Sequence, residues 1–222
     1  MTWLEEKKKG MKTYSGIGKD NYTKYKKEVH LVPYSWEEQV LLVERELKRS
    51  LTALAFEEHR NLNLPPLQPA GSLKEMQERK KKTVEELMMQ AGIVKDNPRA
   101  RELFHIMLAF RAIRALGELK LHSGEWTLLE AIDFAVEKIP MGWITHESNT
   151  IHGDYAIYLT QPGYGTSYVI GKLQLDRLIA DRKDQLGEAF VMKDFFDEYF
   201  SRGVIPASLS RWEITGDNIL SN

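Results

Sequence analysis

The chain has 222 residues, 42% hydrophobic and 28% charged, enough apolar material to bury a core without covalent staples. Its formal net charge of -1 gives no global reason to expect nucleic acid or an anionic membrane as a partner. The absence of cysteine excludes disulfides, thiolate zinc sites and cysteine nucleophiles, so any metal would need His and carboxylate ligands.

The opening residues, Met1-Thr2-Trp3-Leu4-Glu5-Glu6, place acids where a secretory signal would be apolar, and no stretch reaches the ~18 apolar residues of a membrane span. A cytoplasmic chain is therefore expected. Helices are predicted near 3–11 and 20–28, with Lys7-Lys8-Lys9 on a solvated face. Between them, Ser15-Gly16-Ile17-Gly18-Lys19-Asp20 has the look of a phosphate loop, but Thr13 and Asp20 occupy the places of the first glycine and the final hydroxyl. It reads as a turn. Ser35-Trp36-Glu37-Glu38 is a capping box and opens a helix over 35–61. At its end Glu57-Glu58-His59-Arg60 reads as facing water.

Asn61 to Gly71 contains three prolines and reads as an extended linker, dividing the chain into 1–62, the linker 63–71, and 72–222. Ser72-Leu73-Lys74-Glu75 opens a helix over 72–91, whose Arg79-Lys80-Lys81-Lys82 run is expected in solvent. Asn97-Pro98 opens a helix over 98–121, and Thr127-Leu128-Leu129-Glu130 one over 127–138. The stretch from Ile139 to Ile151 breaks the helical period, and Trp143 to Tyr155 leaves room for a short hairpin, a minor β element at most. Helices over 163–186, 192–202 and 206–213 complete a mostly α, multi-helix bundle.

Two constellations carry chemistry. Arg111, Arg114, Glu118 and His122 fall within about 80° of one another at ~100° per residue, a polar stripe on a helix otherwise rich in Leu, Ile, Met and Phe. Such charges must pair inside the fold or line a wet cleft, and both readings stay open. Tyr164, Tyr168 and Lys172 follow at four-residue spacing after Pro162-Gly163, where a phenol or ammonium could polarise a carbonyl, hold a carboxylate or simply pack. Gly171, inside that helix, suggests close approach of another backbone. The run Gly163-Tyr164-Gly165-Thr166-Ser167-Tyr168 is not a nucleophile elbow, since Val169 stands at the last glycine. His146-Glu147-Ser148-Asn149-Thr150-Ile151-His152 comes nearest to a zinc-binding His-Glu-x-x-His helix, but Thr150 replaces the second His.

With these stripes the sequence resembles the bacterial domain-of-unknown-function 885 family, whose members look like helical zinc metallopeptidases. One block of resemblance runs from Trp3 through Ser15 to Tyr22, Val29 to Tyr34 and Glu57 to Asn61. A second runs from Glu85 to Met89 through Arg111, Arg114 and His122, then Pro162-Gly163-Tyr164-Gly165-Thr166-Ser167-Tyr168-Val169-Ile170-Gly171-Lys172 to Ile205-Pro206. The resemblance implies that Tyr168 stabilises a transition state and that His122 contacts substrate or its oxyanion. Arg111, Arg114 and Glu118 would support the cleft, with Tyr164 and Lys172 on the substrate side. The family's His-Glu-x-x-His helix lies between the two blocks, and here Pro65 to Lys82 joins them directly. Glu78 stands where a further Glu ligand belongs, followed by Arg79 and Lys80, and Lys120 stands where the family often has Gly.

The expectation is therefore a catalytically incomplete relative or fragment that binds a peptide or protein partner, with no cofactor. The alternative is a zinc-dependent peptidase whose ligands come from another chain or from His146, His152 and Glu78. A homo-oligomer that covers faces left bare by the shortened core is a third expectation.

Overall fold

The computed structural model describes residues 16–68, 89, 92 and 95–217. Among them are eight α-helices and no strand: α1 Lys19–Glu28, α2 Trp36–Arg60, α3 Pro98–Ser123, α4 Leu128–Lys138, α5 Asn149–Thr160, α6 Tyr164–Leu186, α7 Met192–Ser201 and α8 Ala207–Thr215. The mostly α bundle expected from the sequence is the observed fold. The helices expected at 3–11 and 72–91 lie outside the described residues, apart from the helical Met89. One helix was missed. Residues 149–160, which overlap the expected loop over 139–151 and the room left for a hairpin over 143–155, form α5, which buries Ile151, Tyr155 and Tyr158.

The capping boxes at Ser35 and Thr127 both form, each hydroxyl accepting from the third helical amide while the Glu carboxylate reaches back to the cap N–H. Asn97 holds the cap position of α3, but its side chain makes no capping bond.

α3 is the axis of the bundle. Apart from its polar stripe it is largely apolar, as a surrounded helix must be, with Ile106, Ala109, Ala112, Ile113, Ala115 and Leu119 fully buried. It packs most extensively along α2 and then against α6, α4 and α5. Its alanines and Gly117 let neighbours approach closely, and Tyr155 of α5 lies directly over Gly117. α2 contributes Val43, Leu47 and Leu54 to the same core, and its Trp36 indole donates to the Leu119 carbonyl at 2.9 Å. A smaller cluster, Leu178, Phe195 and Ile214, joins the far half of α6 to α7 and α8.

Helices from both sides of the proline-rich stretch share this core. The start of the stretch is pinned: Arg99 donates one guanidinium nitrogen to the carbonyls of Asn61, Leu64 and Pro65, at 3.1, 2.8 and 2.7 Å. Glu57, expected in water, is buried and pairs with Arg60 at 2.8 Å and with Arg101 of α3 at 3.1 Å. The Gly16 to Gly18 turn docks on the end of α3. Gly16 lies against the backbone of His122, which leaves no room for a Cβ, and the Gly18 amide donates to the His122 carbonyl at 2.8 Å. No helix among the described residues is long and apolar enough to cross a membrane.

Gly117→Ala should lower stability by about 1–3 kcal/mol, because the new methyl must displace the Tyr155 phenol, which donates to the Ala131 carbonyl. Urea unfolding measures this, and an unchanged midpoint would mean that Tyr155 is not fixed there.

Candidate functional site

α6 begins at Gly163, whose φ of 91° lies in the left-handed region that a side chain would strain. Its first turn exposes backbone N–H groups with no partner inside the helix. Glu118, fully buried on α3, supplies the acceptor. Its carboxylate receives the Gly163 N–H, the Thr166 N–H at 2.8 Å and the Tyr22 hydroxyl at 2.9 Å. A residue 45 positions upstream thus caps α6, and the helix dipole favours its negative charge. Gly165 makes the approach feasible, since a Cβ there would strike the Glu118 carboxylate and the Tyr158 ring.

Tyr22 also meets the Thr166 hydroxyl at 2.9 Å. Lys26, one turn further along α1 and almost wholly buried, donates to the Gly163 carbonyl at 3.4 Å and to His30 Nδ1 at 3.3 Å. Burial pushes the Glu118 carboxyl up to about 7, outweighing the Gly163, Thr166 and Tyr22 hydrogen bonds and the Lys26 charge, which act downward. Burial pushes Lys26 down to about 8 against the pull of Glu118. Tyr22 is raised, first by burial and then by the Glu118 charge.

The polar stripe of α3 is divided between two environments. Arg114 pairs with Asp154 of α5 at 2.7 Å and lies over the Phe110 ring at 4.2 Å. The internal ion pair is real, but its acid comes from the missed helix and not from Glu118. His122 is 1% exposed, with Nε2 3.0 Å from the Tyr158 carbonyl and its ring 5.3 Å from that of Tyr22. Burial lowers its pKa, against that hydrogen bond.

Tyr164 and Tyr168 stand on the surface, 45% and 41% exposed. Tyr164 stacks on Tyr158 at 5.8 Å and meets Tyr168 edge to face at 6.1 Å. The guanidinium groups of Arg111 and Arg114 lie 5.4 and 5.8 Å from the centre of the Tyr168 ring. A hydrogen bond to Tyr164, and then burial, raise the Tyr168 phenol while both arginines pull it down. Lys172, the third member of the tyrosine stripe, ties its ammonium to Asp176 at 2.5 Å along α6. Gly171 is approached by no backbone, since nothing lies within 4 Å of where its Cβ would stand. The close approaches occur at Gly16, Gly117 and Gly165 instead.

Glu78 lies outside the described residues. His146 bonds Asp133 at 2.9 Å, and His152, on α5, reaches the His146 carbonyl at 2.8 Å. No group of three or more His, Asp or Glu side chains among the described residues could hold a metal ion. The described donors do not assemble a zinc centre: Glu118 already accepts from three donors, and His122, His146 and His152 belong to no group of three potential ligands.

The model of a family described as bacterial protein of unknown function (DUF885) matches residues 84–214. The chain belongs to that family. No curated protein and no solved structure matches it. The DUF885 match spans α3 to most of α8 and so includes Glu118, the tyrosine face and both arginines. Tyr22, Lys26 and His30 lie upstream of the matched DUF885 residues. Sequence reasoning passed over these three, along with Asp154 and Thr166. Tyr22 and Lys26 share a helix face at four-residue spacing, but their link to Glu118 spans almost a hundred residues and has no local signal.

Stability should have a trough near neutral pH. Folded Glu118 keeps its proton to about pH 7 while an unfolded carboxyl loses it near 4.5, so between these values the folded state holds more protons and stability falls as pH rises. Folded Lys26 releases its proton near 8 and unfolded lysine near 10.5, so there stability rises with pH. Urea titrations from pH 4 to 10 should show a fall of up to about 3 kcal/mol on the acid side, absent in Glu118→Gln whatever that variant's overall stability. An identical acid-side slope in the variant would remove Glu118 as its source.

Proposed function

We propose that this chain is a non-hydrolytic, peptide-binding member of its family, with the tyrosine and arginine face at the start of α6 as its recognition surface. The observation that carries this reading is the exposure of Tyr164 and Tyr168 beside two guanidinium groups. Tyrosine and arginine dominate the energetically decisive positions of protein interfaces. An aromatic ring brings area at little entropic cost, and a guanidinium forms paired hydrogen bonds with a carboxylate or peptide carbonyl.

The face is also rigid from beneath. Glu118 fixes the first turn of α6, Tyr158 supports Tyr164 by stacking, and Asp154 positions Arg114. A preorganised surface loses less freedom when a flexible peptide settles on it. The chemistry favours peptides with an acidic side chain or a free C-terminal carboxylate that can meet the arginines, and an apolar or aromatic residue beside the tyrosines.

Hydrolysis is not part of this reading, because the described His, Asp and Glu side chains form no group of three or more that could hold a metal ion, and the Glu118 carboxylate is taken up by the amides of α6. The phenol of Tyr168, raised above its ordinary value, serves as a neutral hydrogen-bond donor near neutral pH.

A peptide array probed with the purified chain supplies ligands for the test. Tyr168→Ala and Arg114→Ala should each weaken the best of them by about 10-fold or more, with Tyr164→Ala close behind, while the Tyr168 and Tyr164 variants melt at the parent temperature. Zinc-dependent cleavage of those peptides, abolished by chelation, would refute the non-hydrolytic assignment. Unchanged affinity in Tyr168→Ala would refute the surface.

A further inference from the structure

A cleft of about 280 Å³ opens between α1 and α6, lined by Lys26 and His30 and by none of the tyrosines and arginines of the proposed recognition surface. Its polar groups are Lys26, His30, Ser167 and Gln174, and its apolar wall includes Val32, Ile170 and Pro206. No carboxylate lines it, so the cleft presents one ammonium and one imidazole without a wall of opposite charge.

The ammonium is under-bonded. It has three donors, and Lys26 uses two of them at 3.4 and 3.3 Å, longer than the usual ~2.7–3.2 Å. The third has no hydrogen-bond partner among the described residues. Because Lys26 donates to Nδ1 of His30, the proton of the neutral imidazole sits on Nε2, available to a second acceptor.

Gly171 points the same way. Glycine is unfavourable inside a helix, and at this position no neighbour requires it, since the space around a built Cβ is empty. Gly171 lines the cleft, and a large side chain there would take up part of its volume. A volume of about 280 Å³ corresponds to about nine waters at ~30 Å³ each, the size of a short branched carbon chain with one polar head.

We propose that this cleft binds a small aliphatic carboxylate, its oxygens held by Lys26 and His30 and its carbon chain packed against Val32, Ile170 and Pro206. Both charge and shape are matched. The carboxylate supplies the acceptor that the buried ammonium lacks, and the apolar wall takes the methyl groups. A free branched-chain acid and the terminal residue of a peptide share this chemistry. The assignment does not depend on the tyrosine face.

The test is amide-resolved NMR titration of the full chain with isovalerate, N-acetyl-leucine and isovaleramide. Saturable shifts are expected at Ser167, Gly171 and Gln174 with at least one of the two carboxylates and not with the amide. Tighter binding of isovalerate identifies a free acid as the ligand, and tighter binding of N-acetyl-leucine a peptide terminus. Gly171→Leu should abolish the shifts without lowering the melting temperature. His30→Ala should weaken binding by about 10-fold, and it avoids the folding risk of replacing the buried Lys26. Equal binding of the amide, undiminished binding by Gly171→Leu, or no saturation by either carboxylate up to about 10 mM would overturn the proposal.

Discussion

A carboxylate without water around it is tolerated only if the fold surrounds it with donors, and Glu118 imposes that condition on three helices at once. α6 must begin where its first amides meet the carboxylate, and its early residues must be glycines, because Gly163 has a left-handed backbone and Gly165 touches the acid. α1 must lie where Tyr22 donates to the same group, which is why the turn before it is clamped to the end of α3 through Gly16 and Gly18. Apolar packing turns one face of α6 inward through Val169 and Ile170. The hydrogen bonds of Glu118 fix the same rotation at the start of the helix, and together they set which residues of α6 face outward.

That outward face is where the chemistry gathers. Rotating α6 by one residue, about 100°, would replace Tyr164 and Tyr168 by their neighbours and carry Ser167 away from the Lys26 cleft. Both proposed binding regions are therefore geometric products of one capped helix. They differ in character: the tyrosine surface is broad, aromatic and backed by arginines, while the cleft is small and holds a single ammonium. A broad face suits an extended ligand and a narrow cleft its terminal group.

The fold was legible wherever the signal was local. Ser35, Thr127 and Pro98 mark helix starts within a residue or so of the observed ones, because capping chemistry is written in four consecutive residues. α5 escaped notice for a local reason too. Asn149 and Thr150 are weak helix formers, Gly153 interrupts the pattern, and the helix starts from Ser148 without a side-chain cap. What holds it is the burial of Ile151, Tyr155 and Tyr158 against the bundle, which no window of sequence contains. The site was legible in part. The spacing of Arg111, Arg114, Glu118 and His122 identified the right helix, but helical phase cannot say that Arg114 meets Asp154 while Glu118 turns to the amides of α6. The Gly171 reading failed because a mid-helix glycine reads the same in sequence whether a backbone crowds it or nothing does, and only coordinates tell the two apart.

The clamp formed by Gly16, Gly18 and His122 bears on where this protein can be cut. The match to the family model begins at residue 84, whereas the hydroxyl and ammonium that offset the Glu118 charge come from residues 22 and 26. Excised at the family boundary, the remaining helices would keep an ionisable acid in an apolar interior with two of its compensating groups gone, and would lose the indole that ties α2 to the Leu119 carbonyl.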